Sequence, residues 1–178
     1  HKAVDEQATR EGFRGYGHYE GYEFLRQAIV NDAYRGLDIS PDEIFVSDGA
    51  KSDIGNFQEI FADDCVVAIT DPVYPVYADS NVMAGRAGRL GPDGRFAGLV
   101  YLPCTAENGF IPELPQPRPD LIYLCSPTNP TVRVLTRDPL SHWVGHARET
   151  EFVLSSDSAS EPSISDPDIP RSLSDLDG

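Results

Sequence analysis

The sequence of 178 residues is poor in basic residues, and lysine is the scarcest of them. Lysine and arginine together number 14 against 29 aspartates and glutamates, which gives a formal net charge of −15 at pH 7. Lys2 and Lys51 are its only lysines. Because a nucleic-acid-binding face must be basic to neutralise phosphates, this charge argues against DNA or RNA as a partner.

Long apolar runs and paired cysteines are missing as well. No apolar stretch approaches the roughly 20 residues that a membrane-spanning helix needs, so no membrane attachment is expected. Cys65, Cys104 and Cys125 are scattered and form no C-x-x-C pair, which favours buried thiols in a reducing cytoplasm. The chain opens on His1 without an initiator methionine or a signal segment, and we expect that its true start is missing.

The most informative stretch of the sequence is residues 44–61. Its first three residues predict a short buried strand, Asp48-Gly49 predicts a turn, and apolar residues at helical spacing from Ile54 predict a helix. A helix that begins directly after such a turn has unpaired N–H groups, which attract phosphate together with the helix dipole. Since Lys51 adds a cation, we expect a phosphate site here, with an ordinary strand-to-helix turn as the alternative.

Strand and helix patterns alternate along most of the chain. The predicted strands are residues 44–46, 66–70, 99–102, 121–125 and a last one from 152 to Asp157, and the predicted helices are residues 19–34, 77–83 and 136–148. This alternation implies an α/β domain with a parallel sheet and right-handed crossovers, over residues 19–157. Residues 1–18 are expected to form a glycine-rich loop segment, and residues 158–178 a polar tail that frays.

Two weaker patterns point to other ligands. Three glycines within residues 15–21 have the spacing G-x-G-x-x-x-G without a preceding strand, so a loop that presents Tyr16 describes them better than a dinucleotide fingerprint. His142 and His146 are four residues apart on a predicted helix, but no Glu follows His142 and no third ligand is evident. A solvated helix face is therefore favoured over a metal site.

Several chemical groups fall at the carboxyl ends of the predicted strands, where open α/β sheets bind ligands. Tyr74 lies in a proline-rich loop, Asn129 lies between two nearby prolines, and Asp157 ends the last strand. With the turn at residues 48–52 they offer a phosphate site, a flat ring, an amide and a carboxylate, which are the contacts that pyridoxal 5'-phosphate needs. A Tyr74 side chain that merely packs on its loop is the alternative.

The motifs at these positions resemble those of the LL-diaminopimelate aminotransferases. They are Ser-Asp-Gly-Ala-Lys at 47–51, Asp-Pro-Val-Tyr-Pro-Val-Tyr at 71–77, Pro-Cys-Thr-Ala-Glu-Asn-Gly-Phe at 103–110 and Cys-Ser-Pro-Thr-Asn-Pro-Thr at 125–131. The resemblance implies a three-layer sandwich with a mostly parallel sheet, part of the large domain of fold-type I pyridoxal-phosphate transferases. It also implies a homodimer that moves an amino group from LL-2,6-diaminopimelate to 2-oxoglutarate in lysine biosynthesis.

The resemblance assigns roles to individual residues. The backbone N–H groups of Ala50 and Lys51 would hold the cofactor phosphate, and the Lys51 side chain could also reach a substrate carboxylate. Tyr74 would stack on the pyridine ring and Asn129 would bind its phenolic oxygen, and both would also face the substrate. Asp157 would pair with the ring nitrogen and keep it protonated, which makes the ring an electron sink.

Other expectations concern the second subunit and the departures from the family. Tyr16 would reach the phosphate of the partner subunit. Where the family has a glycine this chain has Val132, followed by Arg133, and where the family has a cofactor-contacting tyrosine it has Ser160. The family's Schiff-base lysine lies beyond Gly178, so the resemblance implies an interior fragment with no catalytic residue of its own, inactive alone.

Two alternatives to the aminotransferase interpretation remain. One is a non-catalytic α/β binding domain from a decayed or partial gene, which the altered residues and the polar tail favour somewhat. The other, a nucleotide-binding domain, is more distant because a true glycine fingerprint is missing.

Overall fold

The computed structural model describes residues 1–116 and 118–176, so the last two residues of the predicted tail lie outside the described residues. The chain forms two compact units, His1–Asp48 and Gly49–Gly178. The division between the units therefore follows Asp48, whereas the sequence suggested a change of character after residue 18.

A parallel sheet of four strands forms the centre of the second unit. The strands are β1 (Val67–Asp71), β2 (Leu99–Pro103), β3 (Leu121–Cys125) and β4 (Val153–Asp157), in the spatial order β2-β1-β3-β4. All three neighbouring pairs are parallel, as the alternation of strands and helices predicted. Because β2 and β3 lie on opposite sides of β1, the carboxyl ends of β1 and β3 flank the kind of switch point at which open sheets bind ligands.

Helices cover both faces of this sheet. The helices of the second unit are α3 (Ala50–Phe57), α4 (Pro75–Met83) and α5 (Arg137–Thr150). Alternate residues of β1 and β3 point to opposite faces: Ile69 and Tyr123 pack with residues of α3 and α4, whereas Ala68 and Ile122 pack with residues of α5. The second unit is thus a three-layer α/β sandwich, as the family resemblance implied.

The two central strands, β1 and β3, are largely apolar for a physical reason. All five residues of β3 are buried, and four of the five in β1 are buried. A strand in the middle of a parallel sheet has helices above and below it, so neither of its faces can be polar. This double burial explains why the unbroken apolar pattern identified both strands correctly.

The first unit contains two helices, α1 (Lys2–Gln7) and α2 (Glu23–Ala33), and a 3-10 turn at Pro41–Glu43. The turn is closed by a capping box between Ser40 and Glu43. The residue of α2 that is buried is Arg26, whose guanidinium donates a 2.8 Å hydrogen bond to the carbonyl of Pro41. The predicted helix at 19–34 is confirmed apart from its first turn, whereas the prediction that residues 1–18 are loop throughout is wrong because α1 lies within them.

The predicted strand at residues 44–46 is also wrong. These residues form no strand within the described parts of the chain, and the Phe45 side chain is 75% exposed. The backbone N–H of Val46 donates a single 3.0 Å hydrogen bond to the carbonyl of Glu20. An apolar, β-prone run becomes a strand only where another strand supplies a ladder of such bonds, and local sequence does not contain that information.

The polar tail packs on the second unit, in contrast to the expected fraying. Short 3-10 turns form at Glu161–Ser163 and Leu173–Asp175. Leu176, 6% exposed, joins the apolar cluster beneath α5, and the guanidinium of Arg137 donates a 3.0 Å hydrogen bond to the carbonyl of Asp175. A few apolar residues that pack in the core are enough to order this segment. Its overall polar composition does not reveal them.

The helices of the described residues are too short and too polar to cross a membrane.

Candidate functional site

The first turn of α3 forms where the sequence placed a phosphate-binding turn. Gly49 precedes the helix with φ = +149°, a conformation that favours glycine. The N–H groups of Ser52 and Asp53 both donate to the Gly49 carbonyl, at 3.0 and 3.3 Å. The N–H groups of Ala50 and Lys51 precede these bonds and have no acceptor within the helix, which is the general condition of a first helical turn.

Lys51 lies beside Tyr74, which precedes the first residue of α4. The Lys51 ammonium is 5.9 Å from the centre of the Tyr74 ring, within the range of a cation–π contact. Both side chains line a groove of about 770 Å³ between α3 and α4, with Gly55, Asp79 and Met83. The structure therefore joins the predicted phosphate turn to the predicted ring-stacking residue.

Tyr77 connects this region to the end of the sheet. It follows Tyr74 by three residues, so the two rings meet edge to face with their centres 5.8 Å apart. The hydroxyl of Tyr77 donates a 2.6 Å hydrogen bond to Oδ2 of Asp157, the last residue of β4. Lys51, Tyr74, Tyr77 and Asp157 thus form a contiguous series of side chains along the carboxyl edge.

The Tyr77 hydroxyl is held in a largely apolar environment. Burial, reinforced by the hydrogen bond to Asp157, raises the pKa of the Tyr77 phenol well above its ordinary value. Burial also raises the pKa of the nearby Cys125 thiol, and the backbone N–H of Asn129 partly opposes this. Tyr77 and Cys125 are therefore protonated, neutral groups at neutral pH.

Asn129 lies after the end of β3, in a different recess. This recess of about 490 Å³ is lined by Asn129, Val132 and Ser160, among others. The Cα atoms of Cys125 and Asp157 are partners in the register of β3 and β4, so Asn129 and Asp157 follow neighbouring strand ends. The structure does not record a contact of the Asn129 side chain with Lys51, Tyr74 or Asp157 among the residues it describes.

Val132 has an unusual backbone conformation at the position where the related family has glycine. Its φ is +57°, in the left-handed region that β-branched residues rarely adopt. The Val132 side chain is 72% exposed, so no buried packing compensates the strain. The backbone of this loop thus has the conformation that glycine would adopt readily, although the side chain is valine.

The remaining predicted residues are at the surface. Tyr16 belongs to the first unit, and its side chain is fully exposed. His142 is exposed, whereas His146 packs against the Phe152 ring with centres 5.6 Å apart. Across residues 1–116 and 118–176, no group of three or more His, Cys, Asp or Glu side chains is placed to hold a metal ion.

No role for Tyr77 was predicted from the sequence, although the motif at residues 71–77 contains it. The signal was present as the spacing Tyr-x-x-Tyr across the start of a predicted helix, which places both rings on the same helix face. What sequence could not show is that this face meets the end of β4, which lies 80 residues further along the chain.

Comparisons with known proteins agree with this architecture. The chain is 53% identical to the LL-diaminopimelate aminotransferase of Desulforapulum autotrophicum and 49% identical to that of Methanosphaera stadtmanae, over 100% and 99% of this chain. Among solved structures, it matches the L,L-diaminopimelate aminotransferase from Chlamydomonas reinhardtii with a TM-score of 0.90 and 41% identity over 99% of this chain. The chain spans 44% of the length of each of these three proteins.

The resemblance read from the motifs is therefore confirmed over nearly the whole sequence. The family model described as aminotransferase class I and II matches residues 1–161. The chain belongs to the class I and II aminotransferase family.

Proposed function

We propose that this chain supplies the cofactor-binding part of a pyridoxal-phosphate-dependent aminotransferase. Its reaction is amino transfer from LL-2,6-diaminopimelate to 2-oxoglutarate, in lysine biosynthesis. The observation that carries this proposal is the contiguous series Lys51–Tyr74–Tyr77–Asp157, which runs from a helix N-terminus to a carboxylate at the sheet edge. Similarity to LL-diaminopimelate aminotransferases supports the choice of substrates.

The residues present fit pyridoxal 5'-phosphate chemically. The first turn of α3 and Lys51 offer N–H donors and a cation to the phosphate, Tyr74 offers an aromatic face to the ring, and Asp157 offers a carboxylate to the ring nitrogen. Asn129 would bind the phenolic oxygen, and it would also face the substrate together with Tyr74. Lys51 has a second use, because its ammonium can also bind a substrate carboxylate.

These groups act by holding and orienting. When bound, the cofactor supplies an electron sink for negative charge that develops at the substrate α-carbon. Asp157 would keep the ring nitrogen protonated, and the helix N-terminus with Lys51 would hold the phosphate. Tyr74 would exclude water from one face of the ring.

Neither lysine of the chain suits the role of the covalent lysine. Lys51 lies at the proposed phosphate end of the ligand, which is the wrong end to reach its aldehyde carbon. Lys2 belongs to the first unit and is exposed. We therefore propose that the catalytic lysine comes from outside these 178 residues, and that the chain alone binds the cofactor without turnover.

We further propose a homodimer and a cytoplasmic location for the working enzyme. In the dimer, Tyr16 of one subunit reaches the phosphate held by the other, and its full exposure here is compatible with that role. Cys65, Cys104 and Cys125 are free thiols, which suits a reducing compartment.

A non-catalytic binding domain is the second candidate function. The residues Val132 and Ser160 favour it, because both line the recess beside Asn129 and both depart from the family's sequence pattern. The two functions differ in whether pyridoxal 5'-phosphate binds where Lys51 and Asp157 can contact it.

A binding and labelling experiment tests the proposed function. The chain is incubated with pyridoxal 5'-phosphate, binding is measured by absorbance and fluorescence, and the sample is then reduced with borohydride and mapped by mass spectrometry. We expect reversible binding, no stoichiometric label on either lysine, and no product from LL-2,6-diaminopimelate and 2-oxoglutarate. Absence of binding would favour the second candidate, and stoichiometric labelling of Lys51 with turnover would show that the assignment of Lys51 is wrong.

A further inference from the structure

Tyr77 is a buried tyrosine to which the proposed function assigns no contact with the ligand. Its side chain has no solvent-exposed surface, although it carries a hydroxyl. A buried hydroxyl without a partner is costly, and Tyr77 satisfies its own by donating to Oδ2 of Asp157 at 2.6 Å. This hydrogen bond therefore offsets the cost of burying the Tyr77 hydroxyl.

Two aromatic contacts fix the orientation of the Tyr77 ring. The ring stacks on Tyr123, with centres 5.0 Å apart and planes 3° from parallel. It also meets the Tyr74 ring edge to face, at 88° between the planes. Contacts on a face and on an edge together leave the phenol little freedom to rotate or tilt.

The Asp157 carboxylate is held from both sides. Its Oδ1 accepts a 3.0 Å hydrogen bond from the backbone N–H of Ala159, while Oδ2 accepts the one from Tyr77. The backbone carbonyl of Asp157 accepts from the N–H of Ser126, which anchors the strand end itself. Loss of the Tyr77 hydroxyl would therefore release one oxygen of the carboxylate and leave its other anchors in place.

We propose that Tyr77 is a positioning residue, which holds the Asp157 carboxylate and the Tyr74 ring in fixed relation at the ligand-binding edge of the sheet. This inference rests on the proposed cofactor site, because the task of Asp157 is to pair with the ring nitrogen. A carboxylate that must pair with a ring nitrogen needs neighbouring hydrogen bonds to fix its orientation. Since the pKa of Tyr77 is raised, the phenol stays protonated and remains a donor across the neutral range.

The test compares two ligands that differ at the ring nitrogen. They are pyridoxal 5'-phosphate and its 1-deaza analogue, in which a CH group replaces that nitrogen. Their affinities are measured for the unmodified chain, for Tyr77→Phe and for the matched control Tyr123→Phe. Tyr123 is almost as buried as Tyr77, but its hydroxyl has no hydrogen-bond partner among the described residues.

We expect a pattern that only a positioning role produces. The unmodified chain and Tyr123→Phe should prefer pyridoxal 5'-phosphate over the analogue. Tyr77→Phe should bind pyridoxal 5'-phosphate about tenfold more weakly, the loss expected for a hydrogen bond to a charged group, with its affinity for the analogue unchanged. Tyr77→His, which restores an N–H donor, should recover the preference.

Circular dichroism of each variant confirms that it is folded. An equal loss of affinity for both ligands would mean that Tyr77 only supports the fold. An unchanged preference for pyridoxal 5'-phosphate in folded Tyr77→Phe would show that Asp157 needs no positioning. Either result overturns this inference and leaves the proposed function standing. If the unmodified chain binds neither ligand, the proposed function fails and the inference fails with it.

Discussion

The rings of Tyr77 and Tyr123 are parallel to within 3°, with their centres 5.0 Å apart, although one belongs to α4 and the other to β3. This stack joins the helix layer to the sheet beneath the candidate site. We predict that Tyr123→Ala lowers the free energy of unfolding by about 3–5 kcal/mol, because it empties a fully packed volume.

The control for this prediction is Tyr123→Phe, which keeps the ring. Burial raises the pKa of Tyr123 to about 12, and its hydroxyl has no recorded partner, so removal of the hydroxyl should change stability by less than about 1 kcal/mol. Urea unfolding followed by circular dichroism measures both variants. Similar losses in the two would contradict the packing role assigned to the ring.

Alkaline pH should destabilise the second unit through its buried thiols. Burial raises the pKa of Cys104 and of Cys125 from the ordinary value of 9.0. The folded state then holds these protons more tightly than the unfolded chain does, so their contribution is fully present below about pH 9 and is lost as the pH rises through the raised values. Urea midpoints measured between pH 7 and 11 should fall above pH 9, and less steeply in Cys104→Ala; a constant midpoint would contradict the burial of the thiols.

Replacement of Val132 by glycine should stabilise the protein. Its φ of +57° costs a β-branched residue about 1–2 kcal/mol, and this cost exceeds the extra chain entropy of glycine in the unfolded state. We expect the free energy of unfolding to rise by about 0.5–1 kcal/mol in Val132→Gly. The control is Val66→Gly, at a partly exposed valine that is not among the residues with positive φ. This variant should lose stability, because glycine there relieves no strain.

The packing of the C-terminal segment gives another test. Leu176 is 6% exposed within the cluster beneath α5, so Leu176→Ala should lower the free energy of unfolding by about 2–3 kcal/mol. Ser174→Ala, at an exposed position in the same turn, should change it by less than about 0.5 kcal/mol. Equal free energies of unfolding for the two variants would contradict the packing of Leu176 and would favour the sequence-based expectation that this segment frays.

The sequence was most informative where local pattern and tertiary burial agree. The apolar runs that became β1 and β3 were recognisable because buried parallel strands are apolar on both faces. The helix face of α5 followed from the spacing of Leu140 and Trp143, which are 3% and 1% exposed. The strands depend on an unbroken apolar run and the helix face on the spacing of its apolar residues, and both patterns are local.

The sequence was less informative where structure depends on distant partners. Residues 44–46 have the composition of a strand, but in the described residues the one backbone bond recorded for Val46 is to Glu20. The bond between Tyr77 and Asp157 joins residues that no spacing rule connects. All the predicted binding roles remain predictions, because they concern a ligand and a second subunit; they are those of Ala50, Lys51, Tyr74, Asn129, Asp157 and Tyr16.

In the proposed function, Lys51 and Asp157 contact opposite ends of one pyridoxal 5'-phosphate molecule. The most direct measurement is the affinity for this ligand of the unmodified chain, Lys51→Ala, Asp157→Asn and the double variant, with Asp64→Asn, at an exposed carboxylate, as the control. We predict a loss of about tenfold or more in each single variant, a further loss in the double variant, and no change in the control. Affinities that are unchanged in both single variants would contradict the account.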